Sequence, residues 1–225
     1  MIDFMNNVSQ FFVTVIYFAP KFIPGVLMTL KLSCWSIVLG TGFGLITAIF
    51  KLSHIKPLEI ISKLYVTVVR GTPLLLQLIF IFYGLPQMGL KFNSFTSAVI
   101  GLAFHNGAYI SEIFRGAIES IEHGQLEAGR ALGMTKWEVL KRIILPQAFK
   151  RSVPALGNQF IIGVKDSSLA SAITISETLM LSRQFVAATY NVFPIFFIAG
   201  CYYLLITIVL ERLLNQLEKR LKVYD

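Results

Sequence analysis

The chain has 225 residues, 55% hydrophobic and 14% charged, with a mean hydropathy of +0.69. An ordinary soluble surface needs roughly a quarter of its residues charged, so this balance excludes a soluble domain. The formal net charge of +8 would suit a nucleic acid, but Lys and Arg cluster between apolar runs instead of forming a basic domain, the pattern that orients a membrane protein.

The first residues, 1–21, carry Phe11, Phe12, Val13, Val15, Ile16 and Tyr17, and the first charge is Asp3, not the basic start of a cleavable signal. This stretch reads as a segment lying on the outer membrane surface, with a sixth, short crossing as the competing reading. Five apolar runs follow, at about 22–50, 60–85, 95–118, 155–175 and 193–210. A helical crossing takes about 20 residues, so five crossings fit, the second and fourth being polar enough to be irregular. In the first run Lys31 reads as snorkelling towards the outer headgroups. Gly40, Gly42 and Gly44 form a small-residue surface suited to close helix packing, within the chain or between two copies. Cys34 and Cys201 fall inside apolar runs and read as buried free thiols.

With the N-terminus outside, the two internal loops and the C-terminal tail carry 15 of the 20 Lys and Arg, and the outside keeps Lys21, Lys91 and Arg183. The positive-inside rule favours that orientation and places the C-terminus in the cytoplasm. Leu213, Leu214, Leu217 and Leu221 recur at helical spacing among charges, so the last helix is expected to continue into a tail at 216–225. The expected organisation is an outer segment 1–21, a transmembrane part 22–215 and that tail.

The internal connection at about 119–154 is more structured than a spacer needs. One helix is predicted over about 125–132, ending at Gly133 as a residue of positive φ. A second begins at Thr135 with Glu138 three residues on, a capping box, while Met134 and Val139 occupy the positions of a hydrophobic staple. Pro146 is expected to stop that helix. Ala128, Gly129 and Ala131 form a small-residue surface beside Leu126, Leu132 and Met134, which suits docking into a partner's cleft, the alternative being packing on the chain's own bundle.

In the fourth run Asn158 and Lys165 lie seven residues apart and share a helix face, with Gln159 and Asp166 on the adjoining line. Polar side chains within a crossing face a bundle interior or a water-filled path. An anionic group on such a path would suit Lys165 or Arg70, and a cationic group Asp166. The competing readings are a self-neutralising Lys165–Asp166 pair and an elbow at Arg70-Gly71-Thr72-Pro73. Glu112 and Arg115 read as structural.

Glu127-Ala128-Gly129, three residues to Gly133, nine more to Ile143, then Leu145-Pro146, resembles the EAA-loop signature of ATP-binding-cassette (ABC) importer permeases, with glycine at the third position as a mild departure. Arg70-Gly71-Thr72-Pro73-Leu74-Leu75, His105-Asn106-Gly107-Ala108-Tyr109, Asn158-Gln159-Phe160 and Lys165-Asp166-Ser167-Ser168-Leu169 are similar to the polar amino acid uptake branch, and the matches span about 25–210. The resemblance implies an all-α membrane protein with a five-transmembrane-helix permease core of the type I, MetI-like kind, in the bacterial cytoplasmic membrane. It implies ATPase-coupling roles for Glu127, Ala128, Gly129, Gly133, Leu145 and Pro146. Its substrate-binding set is Arg70, Asn106, Tyr109, Asn158, Gln159, Lys165, Asp166 and Ser167.

The resemblance further implies an ABC ATPase dimer, a second permease subunit, the same chain or a similar one, and an extracytoplasmic amino acid-binding protein. ATP and Mg2+ would sit on the ATPase, and no cofactor on this chain, which has no phosphate loop ending in Gly-Lys-Ser/Thr. Glutamine or cystine is preferred over arginine, because Gln159 is neutral where some relatives for cationic substrates place an acid. A secondary transporter would need no docking hairpin. An intramembrane enzyme would need a catalytic constellation, and a purely structural subunit leaves the polar stripe unexplained.

Overall fold

Each apolar run is helical in the computed structural model, which describes residues 2–53 and 55–222; Met1 and the last part of the tail, 223–225, lie outside the described residues. Helix α1 (Ile2–Phe18) passes through a 3₁₀ turn (Ala19–Phe22) into α2 (Ile23–Leu52). The second apolar run is broken. Helix α3 (Lys56–Gly71) ends where Thr72 adopts the extended backbone that precedes a proline, and α4 (Leu74–Ile79) starts after Pro73 and widens into a π turn (Phe80–Gly84). The elbow reading of Arg70-Gly71-Thr72-Pro73 therefore describes the local backbone.

Helix α5 (Ser94–Glu119) covers the third run. The connecting segment holds α6 (His123–Ala131) and α7 (Lys136–Val139). Helix α8 (Leu145–Asp166) carries the fourth run and gives way to a 3₁₀ stretch (Ser167–Ile173), after which come α9 (Thr178–Thr189) and α10 (Val192–Lys222). As the leucine spacing predicts, α10 continues unbroken from the apolar run into the charged tail.

Pro146 does not stop the helix that begins after Thr135. The backbone loosens into a π turn at Leu140–Ile144, and Pro146 occupies the second position of α8, where a missing N–H costs little. By length and apolarity the runs Val8–Leu52 and Val192–Leu221 can each cross a membrane, and the broken pair α3–α4 makes a third candidate. Helices α5 and α8 are more polar. They carry the buried Asn106 and Gln159, residues that a helix can hold only against other protein.

The chain divides into two compact units, each described by itself: Met1–Trp35, Leu74–Leu102 and Ile162–Leu210 form the first, and Ser36–Pro73, Ala103–Ile161 and Glu211–Asp225 the second. The core of the first gathers Leu32, Leu74, Leu78, Ala98, Leu102 and Ile173. In the same unit Phe11 of α1 packs on Phe193 and Phe197 of α10, and the Tyr202 hydroxyl donates to the Ala19 carbonyl at 2.8 Å. The segment read as an outer ledge is thus docked on the last helix.

Glu177, fully buried, accepts from the backbone N–H groups of Leu179 and Met180 at the start of α9 and from the Tyr203 hydroxyl, while the Thr29 and Thr178 hydroxyls pair at 2.9 Å. Glutamate is not among the favoured N-cap residues, so this cap is set by the buried surroundings of Glu177 and not by a local sequence signal. Both cysteines are free and exposed on the chain's surface, correcting the expectation of burial.

In the second unit α2 and α5 approach closely. A Cβ on Gly40 would come within 3.0 Å of the Ala103 carbonyl, and one on Gly44 within 2.6 Å of Ile110, whereas Gly42 meets nothing within 4 Å. Two of the three glycines therefore serve packing inside the chain.

Candidate functional site

Two constellations in the second unit bear on function. One is the α6–α7 hairpin. Gly133 takes φ 79°, a conformation that glycine adopts without a Cβ penalty, and its N–H bonds the Arg130 carbonyl. The capping box is present: Glu138 N–H donates to Thr135 Oγ1 at 3.3 Å, and Thr135 N–H donates to Glu138 Oε2 at 2.9 Å. The backbone N–H and the hydroxyl of Thr135 hold the Glu138 carboxyl below its ordinary range, which keeps it ionised and accepting at neutral pH.

Inside the hairpin Val139 is fully buried, and Gly129 is buried against it: a Cβ at Gly129 would come within 2.6 Å of Val139 Cγ2 and 3.2 Å of Ile143 Cδ1. The small third residue of the Glu-Ala-Gly triplet thus closes the hairpin on itself. Glu127, Ala128 and Ala131 face outward beside Leu132 and Trp137, which are 83% and 64% exposed; Leu145 and Pro146 are also exposed, at the start of α8. The capped hairpin thus carries exposed apolar side chains beside its small residues.

The other constellation is a polar junction between α5 and α8. Asn106 stands midway along α5 and is 1% exposed; Gln159 of α8 is 7% exposed and donates from Nε2 to Asn106 Oδ1 at 2.9 Å. In an apolar setting such a side-chain pair fixes the register of two helices. Gly107 explains how neighbouring helices reach this level: a Cβ there would meet Phe43 Cβ and the Tyr65 hydroxyl, each at 2.8 Å, and that hydroxyl donates to the Phe104 carbonyl at 2.6 Å.

The Arg70 guanidinium lies 5.1 Å from the centroid of the Tyr109 ring, on which His105 also packs. Tyr65 and Phe104 escape the sequence reading because they meet across 39 residues of chain.

The expected stripe on α8 divides. Gln159 is buried, whereas Asn158 is exposed. In the first unit, Lys165 is exposed and Asp166 half-buried at the end of α8, and the buried Ser167 opens the 3₁₀ stretch with its hydroxyl donating to the Val164 carbonyl. Of the predicted binding residues the structure brings together Asn106 with Gln159 and Arg70 with Tyr109.

Residues 40–223 match the family described as binding-protein-dependent transport system inner membrane component. The chain is 37% identical to the glutamine transport system permease protein GlnP of Escherichia coli (strain K12), over 91% of this chain and 94% of that one. It is 39% identical to the L-cystine transport system permease protein TcyB of Bacillus subtilis (strain 168), over 92% and 89%. It is 36% identical to the arginine transport system permease protein ArtQ of the same organism, over 92% and 94%.

Among solved structures it superposes on a chain of an amino acid ABC transporter crystallised with histidines, with a TM-score of 0.89 and 38% identity, covering 93% of this chain and 98% of that one. The inward-facing MetNI methionine ABC transporter gives a TM-score of 0.72 at 18% identity, covering 88% and 95%, a likeness of fold.

Proposed function

The chain belongs to the family of binding-protein-dependent transport system inner membrane components, and from that membership we propose that it is the permease subunit of an ABC importer for a polar L-amino acid. The observation that carries this reading is the near-full-length likeness to permeases named for glutamine, cystine and arginine. It is a transporter subunit, and a partner ATPase hydrolyses the ATP. The fold is all-helical and MetI-like, and the finer topology proposed for it is five crossings with the N-terminus outside and the C-terminus in the cytoplasm, supported by the charge distribution.

In this reading the α6–α7 hairpin docks on the ATPase. Glu127, Ala128 and Leu132 supply the docking face, Gly129 and Gly133 its shape, and Leu145-Pro146 its junction with α8. A second permease subunit, identical or similar, completes the path, and a binding protein outside delivers the amino acid. Asn106 and Gln159 meet the substrate's polar groups, with Arg70 and Tyr109 in the same unit; Asn158 of that unit, and Lys165, Asp166 and Ser167 of the first unit, are the remaining residues proposed to contact substrate.

Reconstitution with the ATPase and the binding protein in liposomes tests the reading. Glutamine or cystine is expected to stimulate ATP hydrolysis and to accumulate only with ATP. Uptake that persists without ATP or ATPase would mark a secondary carrier and overturn it.

The same preparation reads out specificity. Gln159→Glu would place a carboxylate at a position only 7% exposed, where an unpaired charge is costly unless a cationic ligand balances it. Preference is therefore expected to move towards basic amino acids. An unchanged competition profile would remove Gln159 from the binding site.

A further inference from the structure

At the hairpin end of the second unit charged groups link α2 to α5, and a separate hydrogen bond ties the end of α5 to α8. Lys51, in the last turn of α2, donates to Glu112 Oε1 at 2.5 Å. The other carboxylate oxygen, Oε2, accepts from Arg115 Nε and Nη2 at 3.1 and 2.9 Å. Arg115 spends its remaining arm on Glu119, the last residue of α5. One residue later, the Ser120 carbonyl accepts from Arg151 Nη1 of α8 at 2.6 Å. Ser120 and Arg151 flank the two roots of the α6–α7 hairpin, and beneath them Ala117, Ile121 and Ala148 form an apolar cluster with Ile118 and Ile144.

Stability is a poor account of the central pair. The Lys51 and Glu112 side chains are 19% and 20% exposed, a depth at which lost hydration cancels most of the Coulombic gain. Helices α2 and α5 are already held by the glycine contacts and by Ala48, Ile110 and Phe114. Apolar packing permits sliding, whereas the Lys51–Glu112 contact, with Arg115 of the same helix holding the other carboxylate oxygen in place, ties α2 to α5 at one register.

We propose that Glu112 is the positioning residue of the transport cycle, making α2 move with α5 when the hairpin is displaced. This rests on the importer reading above. Hairpin motion reaches α5 and α8 through their clamped roots, and thereby the Asn106–Gln159 junction; Glu112 adds α2 to the moving body. Losing it leaves the subunit assembled and the ATPase docked but lets α2 lag, so that ATP is hydrolysed with little transport.

The test measures L-glutamine, L-cystine and L-arginine uptake and ATP hydrolysis together in proteoliposomes holding the full complex. Glu112→Gln and Lys51→Met are expected to lower the amount transported per ATP by about fivefold or more, the scale of an ordinary coupling free energy. In Lys51→Met, which leaves Glu112 paired with Arg115, basal hydrolysis and the yield of assembled complex stay at wild-type levels, and Lys51→Arg keeps wild-type coupling. Transport and hydrolysis falling in equal proportion, or an unchanged ratio, would overturn the proposal. If Glu112→Gln fails to assemble, the ratio in Lys51→Met decides by the same criterion. A wild-type complex that takes up no polar L-amino acid with ATP refutes the importer reading itself, and this inference falls with it.

Discussion

Gly129→Leu is expected to abolish ATP-driven uptake and co-purification of the ATPase, while the helical bundle remains folded. The first added carbon already comes within 2.6 Å of Val139 Cγ2, and the rest of the side chain has Ile143 in its way. Overpacking of this kind costs about 1–3 kcal/mol, which a two-helix hairpin relieves most easily by opening. Opening it displaces Glu127, Ala128 and Leu132 from the face offered to the partner. A docking defect of this size corresponds to a loss of roughly fivefold to 150-fold in affinity. Gly129→Ala is expected to weaken docking less and to be partly restored by Val139→Ala, which removes both Val139 methyls and leaves the Ile143 contact at 3.2 Å. Wild-type uptake by the Gly129→Leu variant would show that hairpin closure does not govern docking.

The second large effect lies at Gly107. Gly107→Leu would drive a side chain into Phe43 and the Tyr65 hydroxyl and break the Tyr65–Phe104 hydrogen bond. Three helices, α2, α3 and α5, would have to separate, at a cost of about 3 kcal/mol or more, so the purified subunit is expected to lose monodispersity and to unfold at a lower temperature. Tyr65→Phe should recover part of the loss, since it removes one of the two obstructing atoms and leaves Phe43. A Gly107→Leu variant with the wild-type melting temperature would mean that α5 can shift without harm and that this glycine is not a packing requirement.

Features that depend on neighbours three to five residues apart were legible in the chain. The Thr135–Glu138 box, the positive φ of Gly133 and the run of α10 into its charged tail each follow from a short pattern whose hydrogen bonds or apolar periodicity close locally. The family could be read for a related reason: its motifs are short strings in a set order, and strings survive without coordinates. Pro146 shows the edge of this kind of reading. A proline forbids one backbone hydrogen bond, but whether the chain ends a helix or loosens into a π turn around it depends on what holds the flanking turns.

Which face of each helix meets which neighbour was decided only by the tertiary structure. In a soluble protein an apolar stripe marks the buried side; in a membrane protein the lipid-facing and bundle-facing sides are equally apolar, and the stripe carries no direction. Hence Gly40 and Gly44 turn inward while Gly42 does not, Gly129 closes its own hairpin, and the exposed Cys34 and Cys201 look no different in sequence from buried ones. Polar residues carry more, because hydrocarbon offers them no partner: the composition of α5 and α8 marks Asn106 and Gln159 as needing one. That they satisfy each other across 53 residues of chain is a result of folding.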